Sequence, residues 1–129
     1  MILSFKKQFV EPIKTGRKIH TIRKDPSRRW KRGKNIHFST GVRTKKYECF
    51  GNGECKSTQT VFMTYAYNDL IEISIDGAEL FDYKERLEFA QNDGFDTWED
   101  FFNWFYPIIQ ADPNKEFSAR LIHWTDKRY

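Results

Sequence analysis

The chain has 129 residues, enough for one domain (1–129) with a core of its own and too few for two. No apolar run approaches the ~20 residues of a membrane helix, and residues 1–7 are too short and too soon charged for a signal peptide, so a soluble, cytoplasmic protein with no membrane partner is expected. The net charge of +4 conceals a segregation: residues 14–46 hold 13 Lys or Arg against the single acid Asp25 (+12), while residues 69–112 hold 12 acids against Lys84 and Arg86 (−10).

In chain order, residues 2–5 read as a short strand. Residues 8–15 read as a short helix with Phe9, Val10 and Ile13 on one side. Pro12 fits only its first turn, and Gly16 sits where helices stop. Residues 18–24 look like a strand, followed by turn chemistry at Asp25-Pro26-Ser27. Residues 28–34 form a basic loop around Trp30. Residues 35–40 alternate, with Ile36, Phe38 and Thr40 on one face. A second basic loop covers 41–46, and Phe50-Gly51-Asn52-Gly53 reads as a turn.

Residues 58–67 are expected to form a long strand. In 70–76, Ile71, Ile73 and Ile75 point one way and Glu72, Ser74 and Asp76 the other. A helix over 84–92 places Leu87 and Ala90 on one face. Asp96 and Glu99 suggest a capping box for a helix with Trp98, Phe101, Phe102 and Phe105 at i, i+3, i+4 and i+7. Pro107 marks its expected end, and 116–124 reads as the closing strand. The sum is an α+β chain of about six strands, a short early helix and a late helical pair, which suits a small mixed β-barrel.

The segment Gly16-Arg17-Lys18-Ile19-His20-Thr21-Ile22-Arg23 is the most informative. A glycine turn delivers Lys, Thr and Arg within eight residues. A desolvated lysine is a base, a threonine hydroxyl is a nucleophile or donor, and an arginine fork grips phosphate or carboxylate. The plain alternative is an amphipathic edge strand with solvated charges. The loops add Arg28, Arg29, Lys31, Arg32 and Lys34 around Trp30, and Arg43, Lys45 and Lys46 near Tyr47. Cations interleaved with rings suit single-stranded RNA; the alternative is a solvated loop that Trp30 anchors to the core. Cys49, Cys55 and His37 match no common zinc spacing, so no metal and no cofactor are expected. His123 reads as a structural part of the last strand, and Trp98 and Trp104 as core.

With Gly16, Lys18, Thr21 and Arg23 in a G-x-K-x-x-T-x-R pattern after a short helix, the chain resembles the ASCH family. Trp30 to Ile36 is similar to that family's step from an aromatic residue through glycine to a strand, although Lys34 stands where members usually carry an acid. Asn92-Asp93-Gly94-Phe95 before the Trp98/Phe101 helix is similar to its second landmark. The resemblance implies a PUA-like barrel that binds RNA or modified nucleosides. It also implies, as in some bacterial members, an amidohydrolase that deacetylates N4-acetylcytidine through Lys18, Thr21 and an acid at Asp93, one methylene shorter than the usual Glu; it permits ribonuclease activity too.

In this reading Arg17, Arg23 and Arg43 would help keep Lys18 neutral part of the time. Thr21 would attack the acyl carbonyl, and Asp93 would pass a proton or orient Lys18. The expected ligand contacts are Arg17, Arg23, Arg28, Arg29, Trp30, Arg32, Arg43 and Lys45, around a cleft between barrel and helical pair. Strict alternation sets a condition. It turns Lys18 and Thr21 to opposite faces, so the site requires Lys18 to lie in the turn before the strand begins, or in a bulge.

Overall fold

A computed structural model describes residues 1–65 and 70–129. Among these residues eight strands form two sheets, joined by three α-helices. The first sheet is β1 (Ile2–Ser4), β3 (Asn35–Thr40) and β4 (Glu48–Glu54), in the order β1-β3-β4. The second contains β2 (His20–Arg23), β5 (Ser57–Thr64), β6 (Glu72–Ile75), β7 (Ala78–Glu79) and β8 (Glu116–His123), in the order β2-β8-β5-β6-β7. Among the described residues only β1 and β3 pair in parallel. Among the described residues the ladders make two open sheets, not one closed cylinder.

β5 and β8 carry the alternation that fixes the core. Gln59, Val61 and Met63 are buried while Thr60 is exposed, and Phe117, Ala119, Leu121 and His123 are buried while Glu116 and Ser118 are exposed. Their buried face receives α2 (Tyr83–Asn92) and α3 (Trp98–Gln110), whose Phe89, Phe101, Phe105 and Ile109 belong to the same apolar cluster. The Phe105 and Phe117 rings lie 6.1 Å apart across that interface. On the other side Phe38 of β3 meets Trp124 just past β8, with ring centroids 4.9 Å apart. Aromatic rings thus fill the core that a modest aliphatic content leaves short.

Four local expectations are corrected. Residues 50–53 belong to β4 and form no turn. A side chain on Gly53 would come within 2.9 Å of the Phe38 ring, so this glycine admits a ring and does not reverse the chain. The α3 cap is Thr97, whose hydroxyl accepts from the Asp100 amide at 3.1 Å; Asp96 is diverted to Arg17. Pro107 lies inside α3, which continues to Gln110 because burying Ile109 favours another turn. The expected strand over 58–67 is β5, already complete at Thr64; residues 66 and 67 of that expectation lie outside the described residues.

Candidate active site

The early helix sets the first part of the site. A 3-10 turn at Lys7–Phe9 leads into α1 (Val10–Lys14), and Gly16, at φ +79°, reverses the chain. The Lys18 amide then donates to the Pro12 carbonyl at 2.9 Å, and the Ile19 amide to the Asn92 carbonyl at 2.8 Å. β2 starts only at His20. Lys18 therefore lies ahead of the alternating stretch, which meets the condition set by the sequence: Lys18 and Thr21 line the same cavity.

The end of α2 sets the second part. Asp93 caps the helix, and Gly94, at φ +97°, lets the chain turn away, with the Gly94 amide donating to Gln91 and the Phe95 amide to Ala90. This aims both Asp93 acceptors at Lys18. Lys18 Nζ donates to the Asp93 carbonyl at 2.5 Å and lies 3.4 Å from Asp93 Oδ1. The Lys18 stem runs so close over the turn that a Cβ on Gly94 would fall 2.8 Å from Lys18 Cδ.

Lys18 is 2% exposed, and its ammonium lies over the Phe9 ring at 4.8 Å. Burial, opposed by Asp93 and assisted by Arg23, lowers its pKa to about 8. Arg23 Nε donates to Thr21 Oγ1 at 3.3 Å and Arg23 Nη2 to the Ser4 carbonyl at 2.5 Å. The Thr21 proton is thereby left free to point elsewhere. Burial also lowers the Arg23 pKa, with Asp93 opposing.

These groups open into a cavity of about 350 Å³ between β1, β2 and α3, whose aromatic walls include Phe5, Phe9, Phe95 and Trp104. That volume suits a nucleoside-sized guest, near the lower end of the roughly 300–1,000 Å³ common for ligand pockets. Trp104 and Phe105 bring α3 to the cleft, and α2 reaches it only through Asp93 at its end.

The expected ligand contacts do not all converge. Lys18, Thr21, Arg23 and Asp93 line the cavity; Arg28, Arg29, Arg32, Arg43 and Lys45 do not, and remain exposed on their loops. Arg17 turns to Asp96 on the outside of the Gly94 turn, so of the three arginines expected to bear on Lys18 only Arg23 does. Trp30 is buried and offers no stacking face. Asp25, the one acid of the basic stretch, accepts from the Arg29 and Trp30 amides at 2.9 Å each and folds the loop so that the indole enters the core.

The structure adds residues that the motif did not single out. His20 Nδ1 lies 3.0 Å from Asp93 Oδ1, and His20 Nε2 lies 2.7 Å from Tyr129 Oη. Asn92 Nδ2 donates to Tyr129 Oη at 2.8 Å. Burial lowers the His20 pKa, although the Asp93 hydrogen bond opposes it. The partners of His20 come from 73 and 109 residues away.

Comparison with protein-family models, curated proteins and solved structures finds no match.

Proposed function

We propose that this protein is a hydrolase acting on an N-acylated nucleoside amide, with the PUA-like barrel organisation of the ASCH family as its framework. The observation that carries the reading is a buried lysine of lowered basicity opening into the cavity that Thr21 and Asp93 also line. A lysine with a pKa of about 8 is neutral in a useful fraction of molecules near neutral pH. Neutral Lys18 takes the Thr21 proton as Thr21 Oγ attacks the acyl carbon. Negative charge then develops on the acyl carbonyl oxygen, and the Arg23 guanidinium, which reaches Thr21 Oγ1 and lines the same cavity, stabilises it. Lys18 then returns the proton to the departing exocyclic nitrogen, and water releases the acyl group from Thr21. The aromatic walls receive the base.

The test is conversion of N4-acetylcytidine to cytidine. Wild type turns over, and the rate rises with pH through about 8 as Lys18 loses its proton. Lys18→Ala and Thr21→Ala lose roughly 10²–10⁴-fold, the ordinary worth of such a base. A wild-type protein that binds the nucleoside or short RNA and leaves it unchanged would overturn the hydrolase reading and favour a binding domain for RNA or modified nucleosides. The exposed Arg28, Arg29, Arg32, Arg43 and Lys45 support that second reading, since none pairs with a carboxylate among the described residues; its mark is affinity that falls steeply with salt.

A further inference from the structure

We propose that His20 and Tyr129 are positioning residues for Asp93, fixing its carboxylate so that Oδ1 is held by the protein and Oδ2 is left for the guest. The inference rests on the hydrolase reading for its kinetic consequences and on geometry alone for the arrangement.

Donors and acceptors run one way through the network. Asn92 Nδ2 can only donate, so Tyr129 Oη accepts from it at 2.8 Å. The phenol has one proton, and its other neighbour is His20 Nε2 at 2.7 Å. Nε2 therefore accepts, and in a neutral imidazole the single ring proton sits on Nδ1 and is donated to Asp93 Oδ1 at 3.0 Å. Lys18 Nζ lies 3.4 Å from the same oxygen. Among the described residues Asp93 Oδ2 has no hydrogen-bond partner, although Asp93 lines the cavity. That oxygen is the one free to accept the N–H of an acylamide or to hand a proton across.

Tyr129 is anchored well enough for this role. Its amide donates to Gln59 Oε1 at 2.9 Å, and its carbonyl accepts from Gln59 Nε2 at 2.8 Å. The groups that face His20 come from every side: Asp93 and Asn92 at the end of α2, Lys18 before β2, His123 of β8 with ring centroids 5.4 Å apart, Tyr129, and the Phe89 ring at 5.2 Å. His123 is itself held neutral by burial, with its pKa lowered to about 3. A second positive charge on His20 beside Lys18 would cost more than one carboxylate repays, so the neutral Nδ1–H form persists. Without the Tyr129 donor the ring can take the other tautomer. Its Nδ1 lone pair then faces Oδ1, and Asp93 loses its orientation.

The experiment has two arms. In the first, ¹⁵N spectra of the His20 ring are recorded between about pH 5.5 and 8.5 for wild type and Tyr129→Phe. The expected result is the neutral Nδ1–H tautomer in wild type and a shift toward Nε2–H in the variant. An imidazolium or an Nε2–H ring in wild type overturns the proposal, whether or not the protein is an enzyme. The second arm follows N4-acetylcytidine hydrolysis. Tyr129→Phe and His20→Gln lower kcat by roughly 10–100-fold, as loss of a residue that orients a reacting group does, with KM little changed. His20→Asn, whose amide nitrogen can stand in for Nδ1, retains more than His20→Gln. Wild-type kcat and pH profile in folded Tyr129→Phe sink the idea. If wild type turns over nothing, the hydrolase reading fails alone, and the spectra still decide the arrangement.

Discussion

At the level of single residues, the site depends on a position with no side chain. Gly94 at φ +97° has a conformation that other residues reach at a cost of roughly 1–2 kcal/mol, and a methyl there would also press on Lys18 Cδ and Phe9 at 2.8 and 3.0 Å. Gly94→Ala is therefore expected to lower stability by at least about 1–2 kcal/mol and to push the Lys18 stem off Asp93, so that the proposed hydrolysis of N4-acetylcytidine falls by more than the loss of folded protein explains. Urea unfolding and kcat on the same sample check both effects; a variant with an unchanged urea midpoint and rate would refute the account. The sequence showed this glycine in its landmark and named Lys18, Thr21 and Asp93. It could not show His20 and Tyr129 as partners, because nothing local ties a strand histidine to a tyrosine 109 residues on. Trp30 failed as a ligand contact for a related reason: an aromatic among cations has the same local pattern whether it faces solvent or core, and the Asp25 turn decides which.

At the level of elements, periodicity located the buried faces and misplaced some ends. The apolar face of α3 at Trp98, Phe101 and Phe105 was legible, while its last turn was not, because tertiary burial of Ile109 overrides the proline signal. In the same way Gly51 and Gly53 carry a turn signature that the Phe38 ring reassigns to a strand. The proline has a measurable consequence. Pro107 has no N–H for the carbonyl of Asn103 one turn earlier, and its ring crowds that carbonyl. It is exposed, so replacing it removes little packing. Pro107→Ala is expected to raise unfolding stability by about 1–3 kcal/mol, seen as a higher urea midpoint at unchanged m-value. A lower midpoint would mean that Pro107 is needed for the fit of Ile109.

At the level of the whole molecule, the basic and acidic stretches meet at one seam. Arg17–Asp96 and Lys18–Asp93 are the ion pairs that join residues 14–46 to 69–112 among the described residues, and both sit at the Gly94 turn. The remaining loop cations stay in solvent, so the segregated charges meet through few groups. No helix among the described residues is long and apolar enough to cross a membrane.

The buried interior next to that seam holds two histidines, His20 and His123, each with its pKa pushed down by burial, His123 to about 3. Below about pH 6.5 the unfolded chain takes up these protons first, while the folded chain resists them. The unfolded state then binds more protons, and stability falls as the pH falls. For His123 the window runs from 6.5 down to about 3, and each histidine contributes a slope of about 1.4 kcal/mol per pH unit inside its window. Asp76, whose pKa is lowered despite a desolvation penalty by hydrogen bonds from Thr60 and Gln59, adds its own loss only near and below the ordinary carboxylate value of 3.8, so His123 carries its loss from about pH 6 to 4 ahead of it. The urea midpoint should therefore decline steadily over that range. His123→Gln, which keeps a donor toward Gln59 and removes the titrating ring, should decline less steeply. Equal slopes in wild type and variant would show that His123 is protonated in the folded state and that its burial is not what limits stability in acid.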